Sequence, residues 1–175
     1  MVTVLDNLIE DAIINPLIVV FLDPRDPGNL SNDRRGMEYR NNINFVNYIT
    51  QELIPDIDGS YKTNTSSDAR AILGASYGGY NAEFFSIEAS DYFHNIGMNS
   101  PYLHPNGDYN IDAELQSANL DDLKLYLSYG VFDSDGERYF SRLANIFTQK
   151  EKEYNSTIIG DGHTWQNWSR VIADA

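Results

Sequence analysis

Residues 71–85 read "AILGASYGGYNAEFF". An apolar run breaks at Gly74-Ala75-Ser76-Tyr77-Gly78-Gly79, and the residues beyond it return to helical spacing. The stretch 69–76 predicts a buried strand and 78–90 a helix, so Ser76 falls on a sharp turn between them. Two readings follow. Ser76 is a nucleophile lifted clear of the sheet, or it is one serine in a glycine-rich connection.

Working outward, the rest of the chain decides what kind of sheet this strand joins. "PLIVVFLD" (16–23) is short, β-branched and continuously apolar, which predicts a strand buried on both faces. "FHNIGMNS" (93–100), "LKLYLSYGVFD" (123–133) and "YNSTIIGDGH" (154–163) are further strand-like runs. Between them lie helical patterns at 4–13, 44–54, 78–90, 137–153 and 164–175. The helix at 44–54 is expected to stop at Pro55. Residues 24–36 read as a surface loop of turn chemistry, and 101–122 as an irregular polar segment suited to a cap. Strands alternate with helices throughout, which predicts an α/β fold with a mainly parallel sheet in one domain spanning 1–175.

Composition removes several function classes. The formal net charge is −14 over 175 residues. A phosphate backbone would be repelled by most of such a surface, so nucleic acid is not an expected partner. There is no cysteine, hence no disulfide, thiolate nucleophile or cysteine-held zinc. No pair of histidines has helical metal-ligand spacing, and "FDSDGE" (132–137) is too short for a calcium loop, so neither metal nor cofactor is expected. No apolar run approaches the length of a membrane span. The start of the chain lacks a basic segment and a cleavage site, so no signal peptide is expected. The cytoplasm is the expected compartment on that ground, and a secreted one if the chain is part of a longer protein.

In open parallel sheets the reacting groups lie beyond the carboxyl ends of the strands. Ser76, Asp133 and His163 all fall there, in the chain order of the α/β-hydrolases. A serine hydroxyl needs a base to take its proton, and histidine can do so near neutrality. A carboxylate on the far ring nitrogen then holds the tautomer and stabilises the imidazolium. Gly74 and Gly78 keep the turn tight, Gly79 allows close packing, and the Tyr77 amide offers one oxyanion donor. His94 falls at the opposite end of the sheet. Asp135, Glu137 and Asp161 compete with Asp133, which is preferred because it stands at the end of its strand.

"GASYGG" (74–79) followed by "GDGHTWQNW" (160–168) resembles the putative-esterase family of α/β-hydrolases, with its enterochelin esterases, feruloyl esterases and mycolyltransferases. "NPLIVVFLDPRD", "RRGMEYRNNINFVNYITQELIPDID" and "GVFD" fit the same pattern in the same order. The resemblance implies an α/β-hydrolase fold and a Ser76–Asp133–His163 triad. It further implies a carboxylic ester as substrate, of feruloyl, acetyl or siderophore type, small or carbohydrate-linked. Tyr80, Tyr102 and His104 are candidate substrate contacts because the segments after the nucleophile and after the third strand rim the site in that fold. Trp165 is a further candidate, against a reading in which Trp165 and Trp168 simply pack the last helix on the sheet.

The resemblance also implies strands upstream of the first helix, one of which carries the second oxyanion donor and sits between "LIVVFLD" and "RAILGAS". The chain is therefore expected to be an N-terminally truncated member. Its first strand must then pair directly with the second, stay apart, or take a strand from another chain. An open sheet edge would invite a second copy. The sequence fits two functions: a serine esterase acting through an acyl-enzyme, and a catalytically impaired binding or interaction module.

Overall fold

The computed structural model describes residues 2–102 and 109–175. Four parallel strands form the sheet: β3 (Ala71–Ala75), β4 (Asn95–Asn99), β5 (Lys124–Gly130) and β6 (Asn155–Ile159), side by side in chain order. They follow a two-stranded antiparallel ribbon, β1 (Arg25–Asp26) with β2 (Asn29–Asp33), inside the segment expected to be a plain loop. The helices are α1 (Val2–Glu10), α2 (Arg35–Glu38), α3 (Ile43–Tyr48), α4 (Ile54–Ser60), α5 (Tyr77–Glu88), α6 (Ile111–Ser117), α7 (Gly136–Gln149) and α8 (Trp165–Arg170).

The strand order dictates the layers. Each crossover from β3 to β6 moves one strand over in the same direction, so right-handed connections put α5, α6 and α7 on one face. The main core lies there. Alternate residues of β5, Leu125 and Leu127, meet Phe84 and Phe85 of α5 and Leu143, Ile146 and Phe147 of α7 in one apolar cluster. Tyr139, Leu143, Ile146 and Phe147 make a stripe at helical spacing along α7. Tyr126 and Ser128 point the other way. Tyr126 donates its hydroxyl hydrogen to the Val171 carbonyl just beyond α8, which lies against the second face at β5.

Two further expectations fail, each for a physical reason. Residues 16–23 form no strand, and Leu17 through Leu22 are 38–56% exposed. A strand is buried on both faces only when neighbours pair with it, and among the described residues nothing pairs with the outer edge of β3. Of the alternatives the sequence left open, the run stays apart. Pro55, in turn, does not end its helix. Between α3 and α4 the chain makes a π-helical turn, Ile49–Leu53, in which the Ile54 N–H reaches back to the Ile49 carbonyl. The widened turn accommodates the proline ring and its missing donor, and the helix runs on to Ser60.

Candidate active site

The turn from β3 into α5 is built around close backbone contact. A Cβ placed on Gly74 would lie 1.9 Å from the Gly78 carbonyl oxygen, so only glycine fits there. Gly78 itself has open space around its Cβ position, contrary to the expectation that both glycines are needed for tightness. Ser76 has φ 57° and ψ −119°, a conformation that costs a non-glycine residue free energy and recurs at functional turns. Its N–H donates to the Asn99 carbonyl at 2.9 Å, and its own carbonyl accepts from the amides of Tyr80 and Tyr102. The serine is thereby tied to the end of β4. The Tyr77 amide follows it at the first position of α5.

Asp133 stands three residues beyond β5, not at its last residue, in a turn closed by its own N–H to the Gly130 carbonyl at 2.8 Å. The next loop, after β6, comes down against this one. The Phe132 N–H donates to the Asp161 carbonyl, and a Cβ on Gly130 would lie 2.1 Å from that same oxygen. This approach brings His163 over Asp133. His163 Nδ1 is 2.7 Å from Asp133 Oδ2, and His163 Nε2 is 2.8 Å from Ser76 Oγ. With Nδ1 donating to the carboxylate, Nε2 is left to accept the serine proton. Asp133 is buried, while the His163 side chain is 37% exposed. The arrangement can deprotonate the serine hydroxyl and stabilise the resulting imidazolium.

Of the competing acids, Asp133 is the one that pairs with His163. Asp161 accepts from Arg170 at 3.2 Å, and Asp135 sits at the N-cap of α7. His94 pairs with Asp68 at 2.9 Å at the other end of the sheet. Among the described residues no group of three or more His, Asp or Glu could hold a metal, and no helix is long and apolar enough to cross a membrane.

Candidate substrate contacts separate sharply. Tyr80, one turn into α5, is buried in the core with its hydroxyl donating to Asn41 Oδ1 at 2.7 Å, so it does not line the site mouth. Tyr102 lies between Tyr77 and Tyr139, with ring centroids 5.7 and 5.6 Å away. Arg35 sits 5.8 Å over the Tyr77 ring and Arg138 5.5 Å over the Tyr139 ring. His104 lies outside the described residues. Trp165 is 68% exposed, its ring standing edge-on to Trp168 at 4.9 Å. Of the two tryptophans Trp168 is the one that packs inward, and it contacts the His163 ring with centroids 5.1 Å apart.

Several residues around the site carry no sequence signal. Asn99, Ser100, Ser128 and Asn167 are polar and buried beneath it. Positive φ at Ser100, 42°, could not be read from a serine in "MNSPY". Only the proximity of Asn167 to the "GDGH" turn hinted at its hydrogen bond to the Gly162 carbonyl.

A family model described as "Putative esterase" matches residues 2–175. An uncharacterized protein of Bacillus subtilis strain 168, YjcH, is 23% identical over 141 residues, which cover 75% of this chain and 58% of that protein. The enterobactin esterase of Shigella flexneri, solved in the presence of enterobactin, superposes with a TM-score of 0.84 at 19% identity, over 97% of this chain and 44% of that one. A ferulic acid esterase from Anaeromyces mucronatus gives 0.70 at 18% identity, covering 93% of this chain and 64% of its own. The chain thus spans less than two thirds of each of these proteins. These likenesses establish the α/β-hydrolase fold.

Proposed function

The chain belongs to the Putative esterase family, and from that premise we propose that it is a serine carboxylic-ester hydrolase acting through an acyl-enzyme. One observation carries this reading. Ser76 Oγ, His163 Nε2, His163 Nδ1 and Asp133 Oδ2 form one hydrogen-bonded line, with links of 2.8 and 2.7 Å. Ser76 Oγ attacks the ester carbonyl as its proton passes to His163 Nε2. Asp133 holds the Nδ1 proton and steadies the imidazolium. His163 returns the proton to the leaving alcohol, the C–O bond breaks, and the acyl group stays on Ser76. Water then attacks the acyl carbon as it gives a proton to His163, the bond to Ser76 Oγ breaks, and His163 returns the proton to Ser76 Oγ as the acid leaves. The Tyr77 amide supplies one donor to the oxyanion.

An aromatic acyl group suits the row Tyr77, Tyr102 and Tyr139 beside the nucleophile, and Arg35 and Arg138 at its two ends accommodate negative charge. Feruloyl and siderophore-type esters therefore stand ahead of acetyl esters. Of the segment expected to be an irregular cap, residues 103–108 lie outside the described residues, and α6 packs Ile111 and Leu115 into the core. The open edge of β3 offers itself to a second copy of the chain.

The test is hydrolysis of p-nitrophenyl acetate and of an aryl-acyl ester, with Ser76→Ala as control. The expected loss in kcat is a factor of about 10³ or more, and a fluorophosphonate should label Ser76. Hydrolysis unchanged by Ser76→Ala would refute the serine mechanism. Neither hydrolysis nor labelling would make the chain a binding module on the same fold.

A further inference from the structure

His163 spends both ring nitrogens in the plane of its ring, Nδ1 on Asp133 and Nε2 toward Ser76. Those bonds fix the ring only while something limits its rotation, because the side chain sits on a loop and is partly open to solvent. The neighbouring ring is Trp168. Its ring stands at 87° to the imidazole with centroids 5.1 Å apart, and it is buried.

Trp168 is itself held. Its indole N–H donates to Ser100 Oγ at 3.1 Å, inside the molecule. A buried indole N–H needs such a partner. Ser100 is in the left-handed region, φ 42°, immediately after β4. Strained backbone of this kind persists when its surroundings over-determine it. Here the Ser100 N–H donates to the Ser128 carbonyl of β5 at 2.7 Å, and the Ser128 hydroxyl donates to Asn99 Oδ1 at 2.8 Å. The preceding carbonyl, that of Asn99, accepts the Ser76 N–H. One dipeptide at the end of β4 therefore touches both halves of the site. Asn99 fixes the backbone of the serine, and Ser100 fixes the tryptophan that borders the histidine.

We infer that Ser100 and Trp168 are positioning residues that set the imidazole of His163 against Ser76. Neither touches the reacting atoms. The backbone of the same loop is pinned independently, since Asn167 Nδ2 and the Thr164 N–H both donate to the Gly162 carbonyl at 2.9 Å. Loss of the Ser100–Trp168 bond should therefore free the ring and leave the loop in place. The inference rests on the triad reading above for its effect on rate, and on geometry alone for its effect on the ring.

The experiment uses Trp168→Phe, which keeps a ring but loses the N–H, Ser100→Ala, and the double variant. Long-range proton–nitrogen NMR reports the tautomer and titration midpoint of His163. The second-order rate of fluorophosphonate labelling, followed against pH, reports the nucleophile. In the wild type the neutral ring should be protonated at Nδ1. Each variant should lose that single tautomer and move the midpoint, while labelling falls by roughly ten- to a hundredfold. The double variant should be no worse than the worse single one, because both remove the same bond. An unchanged tautomer, midpoint and pH profile in Trp168→Phe and Ser100→Ala overturns the inference, even if their thermal stability drops. Should wild-type Ser76 resist labelling while the His163 signals still move in the variants, the esterase reading fails and the positioning role stands.

Discussion

Gly74 and Gly78 look alike in "GASYGG", and smallness is the reason the sequence offers for both. The geometry separates them. A Cβ on Gly74 meets the Gly78 carbonyl at 1.9 Å, and that oxygen is backbone, so it cannot rotate away. Gly74→Ala should destabilise the fold by about 1–3 kcal/mol, the usual cost of overpacking, and displace Ser76. A Cβ on Gly78 meets nothing among the described residues, and Gly78 lies inside α5. Gly78→Ala should be neutral or stabilise by up to about 1 kcal/mol through helix propensity. Urea unfolding of the two variants checks the pair, and equal losses would show that the turn is not limited by this contact. That Ser76, Asp133 and His163 would meet was legible because they follow three strands in the right order. Ser100 was not, since its role depends on a positive φ and on a tryptophan 68 residues away.

Across elements, the least legible feature joins three helices. Glu83 lies in an unremarkable helical pattern, yet its side chain is 1% exposed. It pairs with Arg142 of α7, which also donates to Asp112 of α6 at 3.1 Å. Burial pushes the Glu83 carboxyl up to about 7, with Arg142 pulling the other way. A carboxyl raised in the folded state binds its proton there more tightly than in the unfolded chain. Its contribution to stability is therefore fullest below the unfolded value of 4.5, declines as pH rises toward 7, and is flat above. Glu83→Gln should remove that decline. The wild type should lose on the order of 3 kcal/mol more than the variant between pH 4.5 and pH 8. Urea midpoints at the two pH values measure it, and parallel curves would exclude Glu83 as the source. Amphipathic α7 and the strands β3 to β6 were readable because their periodicity is local. The π-helical turn before Pro55 was not, because a proline reads as a stop unless the hydrogen bonds upstream of it are known.

At the scale of the whole molecule, two exposed features share an origin. Among the described residues, Leu17 to Leu22 have the composition of a strand and no strand partner, and β3 has a strand partner on one side only. Burial is a property of pairs of elements, so a continuously apolar run announces that it needs covering without naming what covers it. Leu73 of β3, 40% exposed, adds to the apolar surface near that edge. Against association stands the charge of −14, which makes any two copies repel. The two forces respond oppositely to salt. At 20 mM ionic strength the Debye length is roughly 20 Å and repulsion reaches across the approach of two molecules; at 0.5 M it is roughly 4 Å and only contact forces remain. Association through the edge should therefore grow with salt, and light scattering coupled to size-exclusion chromatography should show a larger mass at 0.5 M than at 20 mM. Leu73→Lys, a charge placed on the edge strand, should abolish the increase, and Phe21→Lys should reduce it if the exposed run takes part. A mass equal to one chain at every salt and protein concentration would mean that charge outweighs the open edge, and the pairing of copies would have to be abandoned.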